Sequence, residues 1–156
     1  MQAPVTVSRP RRSRAPSASR GLRQVAAVLA VVAATLAVAS VLHLTGNATG
    51  SAPFDADHAG IAEAVIGAIL LISAGVMVRS RATARTVGFI ATLFAIAGFG
   101  VGLSFTTRGG HAPDVAYHLV GLAVLVGCLV ALVRMQNTPS SASSSKTRVS
   151  RPRAVK

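Results

Sequence analysis

Four histidines and four carboxylates are the groups through which this 156-residue chain could do acid, base or metal chemistry, and they are gathered rather than scattered. His43, Asp55, Asp57, His58 and Glu63 fall in one stretch; His111, Asp114 and His118 fall in another, beside Arg108 and Tyr117. Imidazole nitrogen combined with carboxylate oxygen suits zinc, copper or iron. That makes His43, His58, Glu63, His111 and His118 a candidate ligand set, and His43 with His118 a candidate axial pair for haem. The same imidazoles change charge near neutral pH, as a sensor requires. Spacing argues against a dedicated metal motif, since the chain has no H-E-x-x-H or C-x-x-C, and any ligands come from separate elements. Haem would further need its two histidines deeper between helices.

Most of these residues also have simpler roles. Asp55 or Asp57 can cap a following helix by accepting bonds from its free N–H groups. Pro113 suits a first helical turn, and Asp114 then lies at the positive helix end. His43, His58 and His111 suit a water interface, Tyr117 an aromatic interface belt, and Gly109-Gly110 a turn. Glu63 is different, because it stands about one turn inside an apolar stretch, where an ionisable group needs a partner. Arg108 and His118 are the candidates, and Asp114 shares one helical face with His118, four residues on. The expectation is a polar cluster of His43, Glu63, Arg108, Asp114 and His118 that ties helix ends together.

The elements that must position this cluster are four apolar stretches, over about residues 25–44, 60–78, 87–106 and 115–133. A bilayer core about 30 Å thick takes roughly 20 helical residues to cross. Apolar residues make up 51% of the chain, and Glu63 is the one charged residue inside the stretches, which excludes an ordinary soluble domain with a charged face on each helix. The fold class expected is an all-α membrane protein, a four-helix transmembrane bundle over 23–135, with disordered basic tails over 1–22 and 136–156.

The net charge of +12 would suggest nucleic acid if it stood alone, but its placement says otherwise. Of sixteen Lys and Arg, all but Arg108 precede the first stretch, follow the fourth, or sit in the link bearing Arg79, Arg81 and Arg85. Cations flanking spans stay cytoplasmic, so both termini and the middle link are expected inside a plasma membrane, with the histidines outside. The tails carry no aromatic residue for base stacking; anionic lipid headgroups are their expected partner and nucleic acid is not.

An alternative for the first stretch is a cleaved signal peptide, given Ala37-Val38-Ala39, but the apolar run continues past that site through Val41, Leu42 and Leu44. Arg11-Arg12, separated from the apolar run by about a dozen residues, is a weak twin-arginine signal. Asn47-Ala48-Thr49 fits a glycosylation acceptor only in a eukaryotic secretory setting. The excess of Arg over Lys amid Ala and Val matches GC-rich bacterial composition.

Helix association in lipid relies on close van der Waals contact, which small residues permit. Ala95, Gly98 and Gly102 supply such a face on the third stretch, with Gly98 and Gly102 in G-x-x-x-G spacing. Leu70, Leu71, Phe89, Phe94 and Leu125 are left to face lipid or fill gaps. Cys128, a lone thiol in the fourth stretch, suits apolar packing. No nucleophile paired with a base, phosphate-binding loop, interrupted span or inverted repeat is present to suggest an enzyme or an independent carrier. The leading expectation is a non-enzymatic membrane protein without a cofactor, packing with itself as a homo-oligomer or with a larger membrane complex. The alternative is a metal-binding, redox or sensor accessory protein built on the outer His and carboxylates.

Overall fold

A computed structural model describes residues 16–48, 56–80, 82–109 and 112–136. Asp55, His111 and both terminal tails beyond these bounds lie outside the described residues.

Four helices follow one another: α1 (Pro16–Leu44), α2 (Ala56–Arg79), α3 (Ala84–Gly109) and α4 (Ala112–Gln136). All four are long and apolar enough to cross a membrane. Each outruns the apolar stretch that announced it, because a helix continues into polar sequence wherever propensity and end signals allow. The N-terminal extension of α1 is the longest. It opens on a proline, which fits a first turn, and runs through Ala18 and Arg20 to Leu22, which is buried against the bundle. The last residues of the expected N-terminal tail therefore belong to the bundle.

Short connections make neighbours antiparallel. α1 packs against α2, α2 against α3, α3 against α4, and α4 closes on α1; α1 and α3 touch across the middle, whereas α2 and α4 stay apart. This ring places the ends near residues 44, 56, 109 and 112 together, the histidine-bearing end. The opposite, arginine-bearing end carries Arg20, Arg23, Arg79, Arg85 and Arg134.

The interior is a leucine column, with Leu29, Leu36, Leu70, Leu125 and Leu132 fully buried alongside Thr92. Thr92 is admitted because its hydroxyl donates to the Gly88 carbonyl at 2.6 Å, one turn back, which satisfies the only polar atom it brings. Leu70 and Leu125 thus fill gaps inside, while Leu71 and Phe94 look outward. Cys128 is a buried free thiol among these apolar side chains. Val31 and Val38 on α1, Ile72 on α2, Ile90 on α3 and Val120 on α4 are each more than 60% exposed, so the apolar surface encircles the bundle. A surface greasy on every side suits hydrocarbon and would be an aggregation hazard in water.

Glycine permits the closest approaches. A β-carbon at Gly98 would collide with the Ile66 side chain of α2, and one at Gly67 would lie 3.3 Å from the Ala33 carbonyl of α1. Ala95 is fully buried, and Gly102 faces α4. The small-residue face of α3 is therefore covered from within the chain.

Candidate binding cavity at the histidine-bearing end

The end of α1 is fixed by backbone geometry before any side chain acts. Gly46 adopts φ of 72°, the left-handed conformation that glycine takes without penalty. Its N–H donates to the His43 carbonyl at 3.1 Å and that of Asn47 to the Leu42 carbonyl at 2.9 Å, the pair of bonds that closes a helix C-terminus. His43 is thereby held in the last turn of α1, facing α2.

Its partner is Glu63. The two side chains meet at 2.8 Å, His43 Nδ1–H donating to Glu63 Oε2, with each side chain less than 15% exposed. A donor on one helix and a carboxylate on the next, both largely out of water, form a short charge-assisted bond that pins α1 to α2. The carboxylate that the sequence left without a definite partner thus finds one on the preceding helix. Arg108 is exposed and stands outside the cavity lining described below.

His118 sits in the second turn of α4. Its Nδ1 lies 2.8 Å from the Asp114 carbonyl oxygen, four residues back. A carbonyl can only accept, so Nδ1 carries the proton, and in the neutral ring Nε2 is left as an acceptor. The imidazole is seated against Gly102 of α3, where a β-carbon would overlap it. Phe99 occupies a similar socket at Gly121 of α4. Phe99, Tyr117 and His118 form a three-ring cluster with every pair of centroids 5.6 Å apart, the Tyr117–His118 pair near perpendicular at 86°. Tilted and edge-to-face pairs of this kind are the favoured aromatic arrangements. The Tyr117 hydroxyl is buried without a hydrogen-bond partner among the described residues; nearby Thr35 has its own hydroxyl committed to the Val32 carbonyl at 2.8 Å.

Between the His43–Glu63 pair and the ring cluster lies a cavity of about 360 Å³. All four helices contribute: Leu36 and His43 from α1, Glu63 and Ile66 from α2, Phe99 and Phe105 from α3, Asp114 and His118 from α4. His58, exposed at the start of α2, reaches the rim. Of the expected polar cluster, His43, Glu63, Asp114 and His118 share this cavity and Arg108 does not. Of the candidate metal ligands, His43, His58, Glu63 and His118 line it, while His111 lies outside the described residues. Among the described residues, no three His, Cys, Asp or Glu side chains are disposed to hold one metal ion. Two of the rings are already committed, His43 to Glu63 and His118 to a backbone carbonyl.

Residue chemistry alone pointed to the ionisable groups. The rings and glycines that shape the space around them escaped it, because Phe99, Gly102 and Gly121 look like ordinary span residues. Gly46, one turn past His43 and next to Asn47, was the readable signal for where α1 stops.

The fold and cavity define a class: an all-helical, up-and-down four-helix bundle of membrane-crossing length with a polar-edged cavity at one end. Comparison with protein-family models, with curated proteins and with solved structures finds no match to this chain.

Proposed function

We propose that this chain is a four-span plasma-membrane protein with both termini in the cytoplasm, and that it works as a binding protein, taking a small amphipathic organic molecule into the cavity at its outer end. The uneven placement of cations supports the orientation, with Arg23, Arg79, Arg85 and Arg134 around one end of the bundle and both tails extending that charge. The observation that carries the binding role is the cavity. At about 360 Å³ it falls within the size range of small-molecule sites, and it sets a few polar groups at the edge of a largely apolar wall.

Self-association carries less of this reading than the cavity does. The small residues a partner helix would seek, Ala95, Gly98 and Gly102, already meet Ile66 and His118 or are buried within the chain. The role is non-enzymatic, since Glu63 and His118 are engaged in holding helices and a ring in place rather than in activating a nucleophile.

The test uses the full chain in lipid nanodiscs with isotopically labelled isoleucine methyl groups. Single-ring alcohols, acids and amines are titrated while the δ1 methyl of Ile66, in the cavity wall, is followed by NMR. At least one chemical class is expected to shift that methyl saturably, and Ala39→Phe, which fills the cavity from α1, is expected to abolish the shift. Silence of the Ile66 methyl towards every class overturns the proposal.

A further inference from the structure

Resting on that reading, the geometry points to the class of molecule: an organic cation, an amine or quaternary ammonium on a hydrocarbon or aryl body, with its charge beside Glu63. Three independent features of the lining converge on this choice.

The first is charge. Glu63 and Asp114 both line the cavity, no Lys or Arg appears in the lining among the described residues, and Arg108 is exposed outside it. The remaining titratable groups there, His43, His58, His118 and Tyr117, add no permanent positive charge.

The second is the census of donors and acceptors. His43 Nδ1–H is taken by Glu63 Oε2 and His118 Nδ1–H by the Asp114 carbonyl. What the carboxylates still offer an occupant are acceptors, the second oxygen of Glu63 and the Asp114 carboxylate, whereas the Nε2 edge of His118 is packed against Gly102. An anion would meet two carboxylates and few donors. A neutral hydrocarbon would strip water from the carboxylate edge without replacing it, which is unfavourable. A cation replaces that water with an opposite charge.

The third is the wall. Phe99, Phe105 and Tyr117 present aromatic rings to the same space, and a cation set over or near such faces gains further attraction, more so for a quaternary ammonium that is weakly hydrated. Leu36 and Ile66 provide the apolar surface for the body of the molecule. The His43–Glu63 bond uses Oε2 and leaves the other oxygen of the carboxylate outside it.

The probes are benzyltrimethylammonium and its uncharged carbon isostere neopentylbenzene, read on the Ile66 methyl in nanodiscs so that partition into lipid does not count as binding. The cation is expected to bind about tenfold more tightly than the isostere. Glu63→Gln is expected to weaken the cation about tenfold while leaving the neutral compound within about twofold. His43→Gln, which releases the carboxylate but keeps it, is expected to retain cation binding and guards against a folding defect in Glu63→Gln. Equal affinity for the two probes, or cation binding that survives Glu63→Gln unchanged, overturns the cation class and leaves the cavity standing. If no probe and no member of the wider panel moves Ile66, the binding role falls as well.

Discussion

The two ends of the bundle are built from the same kind of helix and packed by different means. At the arginine-bearing end, the tight approaches are filled by methionine. Met77 lies 2.7 Å from where a β-carbon at Gly88 would stand, and Met135 lies 2.9 Å from the corresponding point at Gly21. Methionine is unbranched and adaptable, so it closes irregular gaps between helices. At the histidine-bearing end rings join aliphatic side chains in the tight approaches, His118 at Gly102 and Phe99 at Gly121 beside Leu44 at Gly60 and Ile66 at Gly98, and the His43–Glu63 pair is added. Rings and charged pairs hold fixed shapes and leave room beside them. The cavity lies at the end where rings and a charged pair take part in the packing.

That contrast can be broken most forcefully by removing packing. Leu132→Ala at the arginine-bearing end is expected to destabilise the bundle by about 2–3 kcal/mol, because Leu132 is fully buried and leaves a void. Leu42→Ala, at the cavity rim and 42% exposed, is expected to cost less than about 0.5 kcal/mol. Equilibrium unfolding in mixed micelles compares the two, and equal losses would erase the distinction between the ends.

A smaller effect sharpens the role of the glycine sockets. Gly121→Ala sets a β-carbon against the Phe99 ring, which must shift towards the cavity it lines, and is expected to cost about 1–2 kcal/mol and to narrow the cavity. Gly127→Ala, on the same helix with no atom within 4 Å of its β-carbon, is expected to be neutral or stabilising by a few tenths of a kcal/mol. Equal stability for the two alanines would mean that the ring seat has no structural weight.

The smallest effect concerns the polar pair. A double-mutant cycle on His43→Ala and Glu63→Ala is expected to return a coupling of about 1 kcal/mol, since the pair is short and mostly buried but lies near a helix end. Zero coupling would make it an incidental contact.

The helices were legible from sequence because hydrocarbon thickness and apolar run length share one scale: all four stretches became helices, α1 extended at its start and the other three at both ends. The conjunction of His43, Glu63, Asp114 and His118 was legible too, because helix ends at matched depth must meet in an up-and-down bundle. The choice of partner for Glu63 was not. Arg108 had the stronger charge, but it lies on the last turn of α3, exposed, whereas His43 is turned towards α2 by the end geometry around Gly46. Charge ranks candidate partners; rotational phase around each helix decides among them, and four smooth apolar stretches carry almost no phase information. The cavity was illegible for a related reason, since it depends on which glycine faces which ring.

The most direct measurement combines the orientation of the chain with the use of the cavity. Cys128, the chain's only cysteine, is replaced by Ser, and single cysteines are placed at Ala62, in the cavity lining, or at Thr86, near the arginine-bearing end. A membrane-impermeant maleimide added to intact cells is expected to label Ala62→Cys, more slowly when benzyltrimethylammonium is present, and to reach Thr86→Cys only after the membrane is opened. Labelling of Thr86→Cys alone from outside, or a rate at Ala62→Cys indifferent to the cation, would contradict an outward-facing cavity that takes up a small organic cation.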